Sequence, residues 1–157
     1  MTKTTVTANP GRHDIHMTRD FGAPRELVFK AFTDPQLLVK WWGQKNSTTI
    51  VDKMDAKQGG IWRYVQHESD GNEYAFHGVY HAVTAPELIV YTFEFEGMPG
   101  HVLLETITFE DINGKTRLTD SSVFQTVEAR DGMLQAGMEV GANESFDLLE
   151  ELLATLK

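Results

Sequence analysis

Apolar and polar positions along the 157-residue chain change their spacing three times. "HDIHMTRDF" (13–21) alternates, with Ile15, Met17 and Arg19 on one side of a short strand. In "APRELVFKAFTDP" (23–35) the period lengthens: Leu27, Val28, Ala31 and Phe32 form an i, i+1, i+4, i+5 stripe that predicts a helix with one buried face. Pro24 suits its first turn, and Asp34 ahead of Pro35 predicts the N-cap of a second short helix over 35–42, ended by Gly43. Alternation then returns in six stretches, near 47–54, 60–68, 73–83, 87–96, 101–110 and 115–125. The gaps carry turn chemistry, most clearly Asn113-Gly114, and their shortness predicts antiparallel neighbours. From about 129 to 156 the period is helical again, through Met133, Leu134, Met138, Phe146, Leu149, Leu152, Leu153 and Leu156. Gly132, Gly137 and Gly141 weaken the first half of that helix.

The order is therefore strand, two short helices, six strands, one long helix, an α+β chain. An antiparallel sheet must hide one face, and the C-terminal helix is its natural cover. Parity assigns the hidden face. Trp62, Tyr64 and Gln66 share a side; so do Tyr74, Phe76, Gly78, Tyr80 and Ala82; so do Ile89, Tyr91, Phe93 and Phe95; and so do Leu103, Glu105, Ile107 and Phe109. Two readings of this aromatic face stay open. The rings fill a solid core, or they wall a cavity where Gly78, Gly137, Gly141 and Ala142 leave room. Glu105 is likewise double: an acid that reaches water or a tyrosine hydroxyl, or a polar anchor for a ligand.

Composition narrows the class. With 41% apolar residues the chain supports a real core, and a net charge of −9 argues against a nucleic-acid partner. The absence of cysteine removes disulfides, thiolate nucleophiles and cysteine-based zinc sites. Residues 1–11 are polar and read as a loose tail ahead of a single domain over 12–157, with no secretory signal, no membrane insertion and a cytoplasmic location expected. His77 and His81 fall four residues apart on one strand, roughly 13 Å at the usual rise, too far to share an ion; no metal and no cofactor is expected. Glu94 and Glu96 alternate with Phe93 and Phe95 and read as the solvated side of their strand. "DSS" (120–122) reads as a strand interior with one polar side, and no serine carries the context of a nucleophile.

Four stretches together carry a resemblance: "FGAPRELVFKAFTDPQLLVKWWG" (21–43), "GGIWRYVQHESDGNEYAFHGVYHAVTAPELIVYTFEFE" (59–96), "ETITFEDINGKTRLT" (105–119) and "RDGMLQAGMEVGANESFDLLEELLATL" (130–156). In this order they resemble the Hsp90-ATPase-activator-homologue (AHSA1-like) branch of the START/Bet v 1-like superfamily. The resemblance implies the helix-grip fold, a curved antiparallel sheet around a long C-terminal helix, with two short helices after the first strand and a cavity between. It implies that one of Trp41 and Trp42 plugs the core while the other faces the cavity rim or solvent; sequence does not say which.

On this basis the expected ligand-binding positions are Trp41 and Trp42 after the second helix, and Trp62, Tyr64, Phe76, Gly78, Tyr80, Tyr91, Phe93, Glu105 and Ile107 on the sheet. Met133, Met138 and Phe146 face them from the helix. The expected partner is a small hydrophobic, aromatic or lipid-like molecule, held by a monomer or weak dimer. Two alternatives stand beside it: a cyclase- or hydrolase-like enzyme using Glu105, and a cochaperone-like protein with an Hsp90-type partner in a stress response.

Overall fold

A computed structural model describes residues 4–156. Among the described residues the chain runs β1 (Thr5–Thr7), β2 (Asp14–Phe21), α1 (Arg25–Thr33), α2 (Pro35–Leu38), β3 (Ser47–Met54), β4 (Ile61–Glu68), β5 (Glu73–Thr84), β6 (Leu88–Phe95), β7 (Val102–Ile112), β8 (Lys115–Val123), α3 (Val127–Gln135) and α4 (Met138–Leu156). All eight strands form one antiparallel sheet in the order β1-β2-β8-β7-β6-β5-β4-β3. From β3 to β8 each strand pairs with its successor, as short turns require. The β7–β8 turn places both Asn113 (φ 54°) and Gly114 (φ 86°) in the left-handed region, the pair of conformations that matches the twist of a two-residue hairpin. β2 lies instead beside β8, because α1 and α2 carry the chain across to start β3 at the far edge.

The expected tail is not loose throughout. Thr5–Thr7 pair with His16–Thr18 of β2, and buried Arg130 of α3 donates to the carbonyls of Asn9 (2.7 Å) and Asp14 (3.1 Å). Backbone carbonyls held by a buried guanidinium cannot drift without leaving that charge unsatisfied. Residues 1–3 of the expected tail lie outside the described residues.

The helices depart from expectation in two places. Asp34 does cap α2, accepting from the Gln36 amide at 2.9 Å, but α2 stops at Leu38 rather than 42. Beyond it the chain tightens so that Trp41 turns inward: its indole donates to the Ala31 carbonyl at 2.9 Å and packs on Phe32 with ring centres 4.6 Å apart. Gly43 (φ 107°) then swings the chain into β3, at a spot where a Cβ would collide with the Gln66 side chain. The single C-terminal helix expected over 129–156 is two. Thr126 caps α3 by accepting from the Ala129 amide, and Gly137 (φ 87°) breaks the run before α4 begins. No L side chain adopts that backbone conformation cheaply, so glycine fixes the kink there.

The core lies between the sheet and α4. Phe146, Leu149, Leu152 and Leu153 of α4 are buried, together with Val28, Phe29, Ala31 and Phe32 of α1. Phe29 thus takes a place that periodicity gave to Leu27, which is only partly buried. Arg19 of β2 is buried against α4, where it donates to Asp147 at 2.8 Å with Glu150 at 3.4 Å. That ion pair locks the helix to the sheet edge.

The two tryptophans have separate roles. Trp41 is buried in the core, whereas Trp42 is half-buried and sets its edge against Tyr64 (5.0 Å) and Phe76 (5.3 Å) on the sheet. Trp41→Ala should therefore cost about 3–5 kcal/mol, as for other buried aromatics, and Trp42→Ala roughly half of that. Chemical denaturation of both variants checks the order; equal losses would contradict the division.

Candidate functional site

The buried residues of α4 all lie from Phe146 onward. Its first two turns carry the small residues Gly141, Ala142 and Ser145. The sheet opposite is aromatic, so the mismatch leaves a cavity of about 340 Å³. That lies within the range of small-molecule sites, about 300–1,000 Å³.

Trp62, Tyr64, Phe76, Tyr80, Tyr91 and Phe93 form its sheet wall, joined by Glu105 and Ile107. Trp41 and Trp42 line it from the α2 side, and Met133, Met138 and Phe146 from α3 and α4. Thirteen of the fourteen expected positions therefore surround one space. Gly78 does not. It is buried under Trp62, and a Cβ there would sit 2.6 Å from the indole Nε1 and collide with the Thr92 carbonyl. Its missing side chain makes room for the indole, not for a ligand. The rings interlock: Trp62 lies 4.5 Å from Tyr64 and 5.8 Å from both Tyr91 and Phe93, and Phe76 lies 5.4 Å from Phe93. Tilted and edge-on contacts of this kind favour one mutual arrangement of the rings.

Beside Gln44, an exposed residue of the lining, the α2–β3 loop is tied to α4: the Gly43 amide donates to Ser145 Oγ at 3.1 Å, and that hydroxyl donates back to the Gly43 carbonyl. A buried part of the lining is polar. Glu105 of β7 accepts from Ser122 Oγ of β8 at 3.1 Å, since the two are directly paired across the strands. Tyr91 of β6 is paired with Glu105 on its other side. Asp120 sits diagonally to Glu105 on the same face; it is 7% exposed and its Oδ1 has no partner. Burial pushes the Glu105 carboxyl above the usual carboxylate range. It pushes Asp120 well above, with repulsion from Glu105 adding to it, and burial raises the Tyr91 hydroxyl too.

Asp120 and Ser122 were not foreseen as site residues. The signal was present: Leu118 and Phe124 share their parity and are buried, so "DSS" puts Asp120 and Ser122 inside and only Ser121 outside. The outer face absorbs the remaining acids. Glu96 takes both hydrogen bonds of a forked pair from Arg63 (2.8 and 2.9 Å) and one from His77 (2.9 Å), which holds its carboxyl down at about 2. Glu94 lies 3.4 Å from His77. Asp14, His16 and Ser121 form a hydrogen-bonded row on that face, at 2.7 and 2.9 Å. Ser121 lies mid-strand in β8, paired on both sides, so the neighbouring amides are committed to the sheet and none is free to stabilise an oxyanion.

A curved antiparallel sheet closed over a C-terminal helix, with two short helices after the second strand and a cavity between, defines a helix-grip protein. The family described as activator of Hsp90 ATPase homolog 1-like protein matches residues 22–154, and the chain belongs to it. A Staphylococcus epidermidis protein solved in solution is 28% identical, with a TM-score of 0.83 over 98% of this chain and 95% of that one. A Mycobacterium smegmatis crystal structure is 26% identical, with a TM-score of 0.87 over 96% and 97%. A Rhodobacter sphaeroides protein, at 23% identity, shares the fold with a TM-score of 0.89 over 98% and 99%. A comparison with curated proteins finds no match. Among the described residues no helix is long and apolar enough to cross a membrane.

The raised carboxyls predict a pH signature. The unfolded chain releases the Asp120 proton near the ordinary value, whereas the folded chain keeps it, so stability falls as pH rises from that value toward the folded one. Asp120→Asn removes this loss and lets the new amide donate to Glu105. It should stabilise the protein at pH 7 by about 1–3 kcal/mol, the cost of an unpaired buried polar atom. The gain should vanish below about pH 4, where aspartate is protonated in both states. Thermal melts of both proteins across this range check it; a gain that does not depend on pH would contradict it.

Proposed function

We propose that this chain is a small-molecule-binding protein whose cavity holds an apolar ligand, aromatic or lipid-like. The single observation that carries this reading is the space of about 340 Å³ left between an aromatic sheet wall and the small residues of α4. Protein interiors are normally packed to the density of organic crystals, and unfilled apolar volume costs stability, about 24 cal/mol per Å³ in core-truncation series. A cavity of this size, walled by preformed rings, fits a role that offsets that cost. Burying apolar ligand surface there would gain about 25 cal/mol per Å², with offset stacking on Trp62, Tyr64 and Phe93 for a ligand that is itself aromatic.

Flavonoid-like or fatty-acyl compounds should shift the amide resonances of β4–β6 and of residues 133–146 and quench tryptophan fluorescence. Ala142→Trp, which fills the space from the helix side, should weaken binding by roughly ten-fold or more while leaving the fold intact. A broad screen that moves none of these resonances would end the binding reading.

One observation favours a second reading. Glu105 and Asp120 line the same cavity with raised proton affinities, and a carboxyl whose proton affinity burial raises can serve as general acid or base. In a cyclase- or hydrolase-like enzyme Glu105 would move the proton and the aromatic wall would hold the substrate. Glu105→Gln should then abolish product formation and leave ligand affinity within about two-fold, since the shape is kept. Turnover that survives the substitution would remove Glu105 from such a role. A chaperone-binding role has the family's description in its favour, and no side-chain arrangement described above adds to it.

A further inference from the structure

The cavity has a charge imbalance. Its lining includes two carboxyls, Glu105 and Asp120, and three phenols, Tyr64, Tyr80 and Tyr91, but among the described residues no lysine, arginine or histidine. The nearest basic candidate on an adjoining strand is Arg19 of β2, two residues from Met17, the position that faces Asp120. Arg19 is turned away, to Asp147 and Glu150 of α4. From α3 and α4 the cavity receives only Met133, Met138, Gly141, Ala142, Ser145 and Phe146, none of them charged.

The donors around the pair are also too few. Glu105 receives one hydrogen bond, from Ser122. Asp120 Oδ1 is buried and receives none. The Tyr64 and Tyr80 hydroxyls are 3.5 Å apart and engage each other. Trp62 Nε1, which lies over Gly78, is buried without a partner too and is a single neutral donor. A buried carboxylate oxygen without a donor is expensive, and one beside a second carboxyl more so. The pair meets this by holding on to a proton, unless something entering the cavity supplies positive charge and donors together.

From the unpartnered Asp120 oxygen, its Glu105 neighbour and the absence of any cation from the lining, we infer that the cavity selects ligands carrying a protonated amine on an apolar or aromatic body. The ammonium group donates to Asp120 and Glu105 at the buried end, while the body lies along Trp62, Tyr64 and Phe93. An ammonium has three donors and no acceptor, which matches a site rich in acceptors. The surrounding tyrosine and tryptophan rings add attraction for a cation close to their faces. A cation bound there favours the charged form of both carboxyls and so weakens the pair's hold on a proton. The inference rests on the binding reading above and names the class of ligand for it.

Three probes of one shape separate the possibilities: phenylbutylamine, phenylbutanol and phenylbutyrate, titrated calorimetrically into the full chain at neutral pH. The amine should bind at least about ten-fold more tightly than the alcohol, because a hydrogen bond between charged groups outweighs a neutral one, and the carboxylate should bind weakest. Titrations in buffers of different ionisation enthalpy should show about one proton released per amine bound and none per alcohol. In Asp120→Asn the preference for the amine over the alcohol should shrink to within about three-fold, with the alcohol's own affinity kept. Glu105→Gln should act in the same direction, and if either variant fails to fold the order of the three probes on the unaltered chain still decides. Alcohol or carboxylate binding as tightly as the amine would overturn the amine preference and leave the cavity reading standing. If none of the three binds at millimolar concentration, both fall.

Discussion

The arrangement depends on a mismatch between the sheet and the helix it grips. Eight strands curve around a helix whose C-terminal half carries the bulky side chains Phe146, Leu149 and Leu153, and whose first turns carry Gly141, Ala142 and Ser145. Where the large residues lie the layers close and a core forms with α1. Where the small ones lie the same separation leaves a void, because a sheet anchored at one end by packed rings and the buried Arg19 pair cannot collapse locally onto glycine. The break at Gly137 separates α3 from α4, and Met133 and Met138 on either side of it line the space.

The void gives the inward polar residues their meaning. In a filled core Glu105, Asp120 and Ser122 would be a costly defect, two acids diagonal to each other with one oxygen unpaired. Facing a cavity they become a polar part of its lining, with Ser122 donating to Glu105 and the register of β6, β7 and β8 fixing the set in place. The outer face shows how the same chemistry looks when it is structural. There Glu96 is matched by Arg63 and His77 in a half-exposed cluster, each charge with an opposite neighbour. Exposed pairs of this kind contribute on the order of 0–1 kcal/mol and mark no site. The difference between the faces is the counter-charge, supplied by the protein outside and left open inside.

Membership of the family accounts for the architecture and leaves the ligand to the lining. Fold is shared across proteins with different partners, and the residues that choose among them are those whose side chains meet the space. Trp41 and Trp42 illustrate the division. They are adjacent, yet one closes the core through the Ala31 carbonyl and Phe32, while the other leans over Tyr64 and Phe76 as part of the cavity wall. Successive residues in a tight turn point in different directions, so a pair of rings can serve both layers at once.

The spacing of apolar residues by itself determined the strands, because a period of two is local and each face of a strand is read from its own residues. It located β2 to β8 within about two residues and put Trp62, Tyr64, Tyr80, Tyr91 and Glu105 on the inner side. It determined α1, the Asp34 cap and the Asn113-Gly114 turn for the same reason, since caps and turns satisfy backbone groups within a few residues. Only the tertiary structure decided the rest. The break at Gly137 depends on a backbone angle that no spacing encodes, the burial of Arg130 on partners more than a hundred residues away, and the pairing of Thr5–Thr7 on the open edge that β2 offers. Whether the inner rings fill a core or wall a cavity depends on the distance between layers, and the Glu105–Asp120 pair on the register of two strands. Those are properties of packing between elements, and they decide the chemistry of the site.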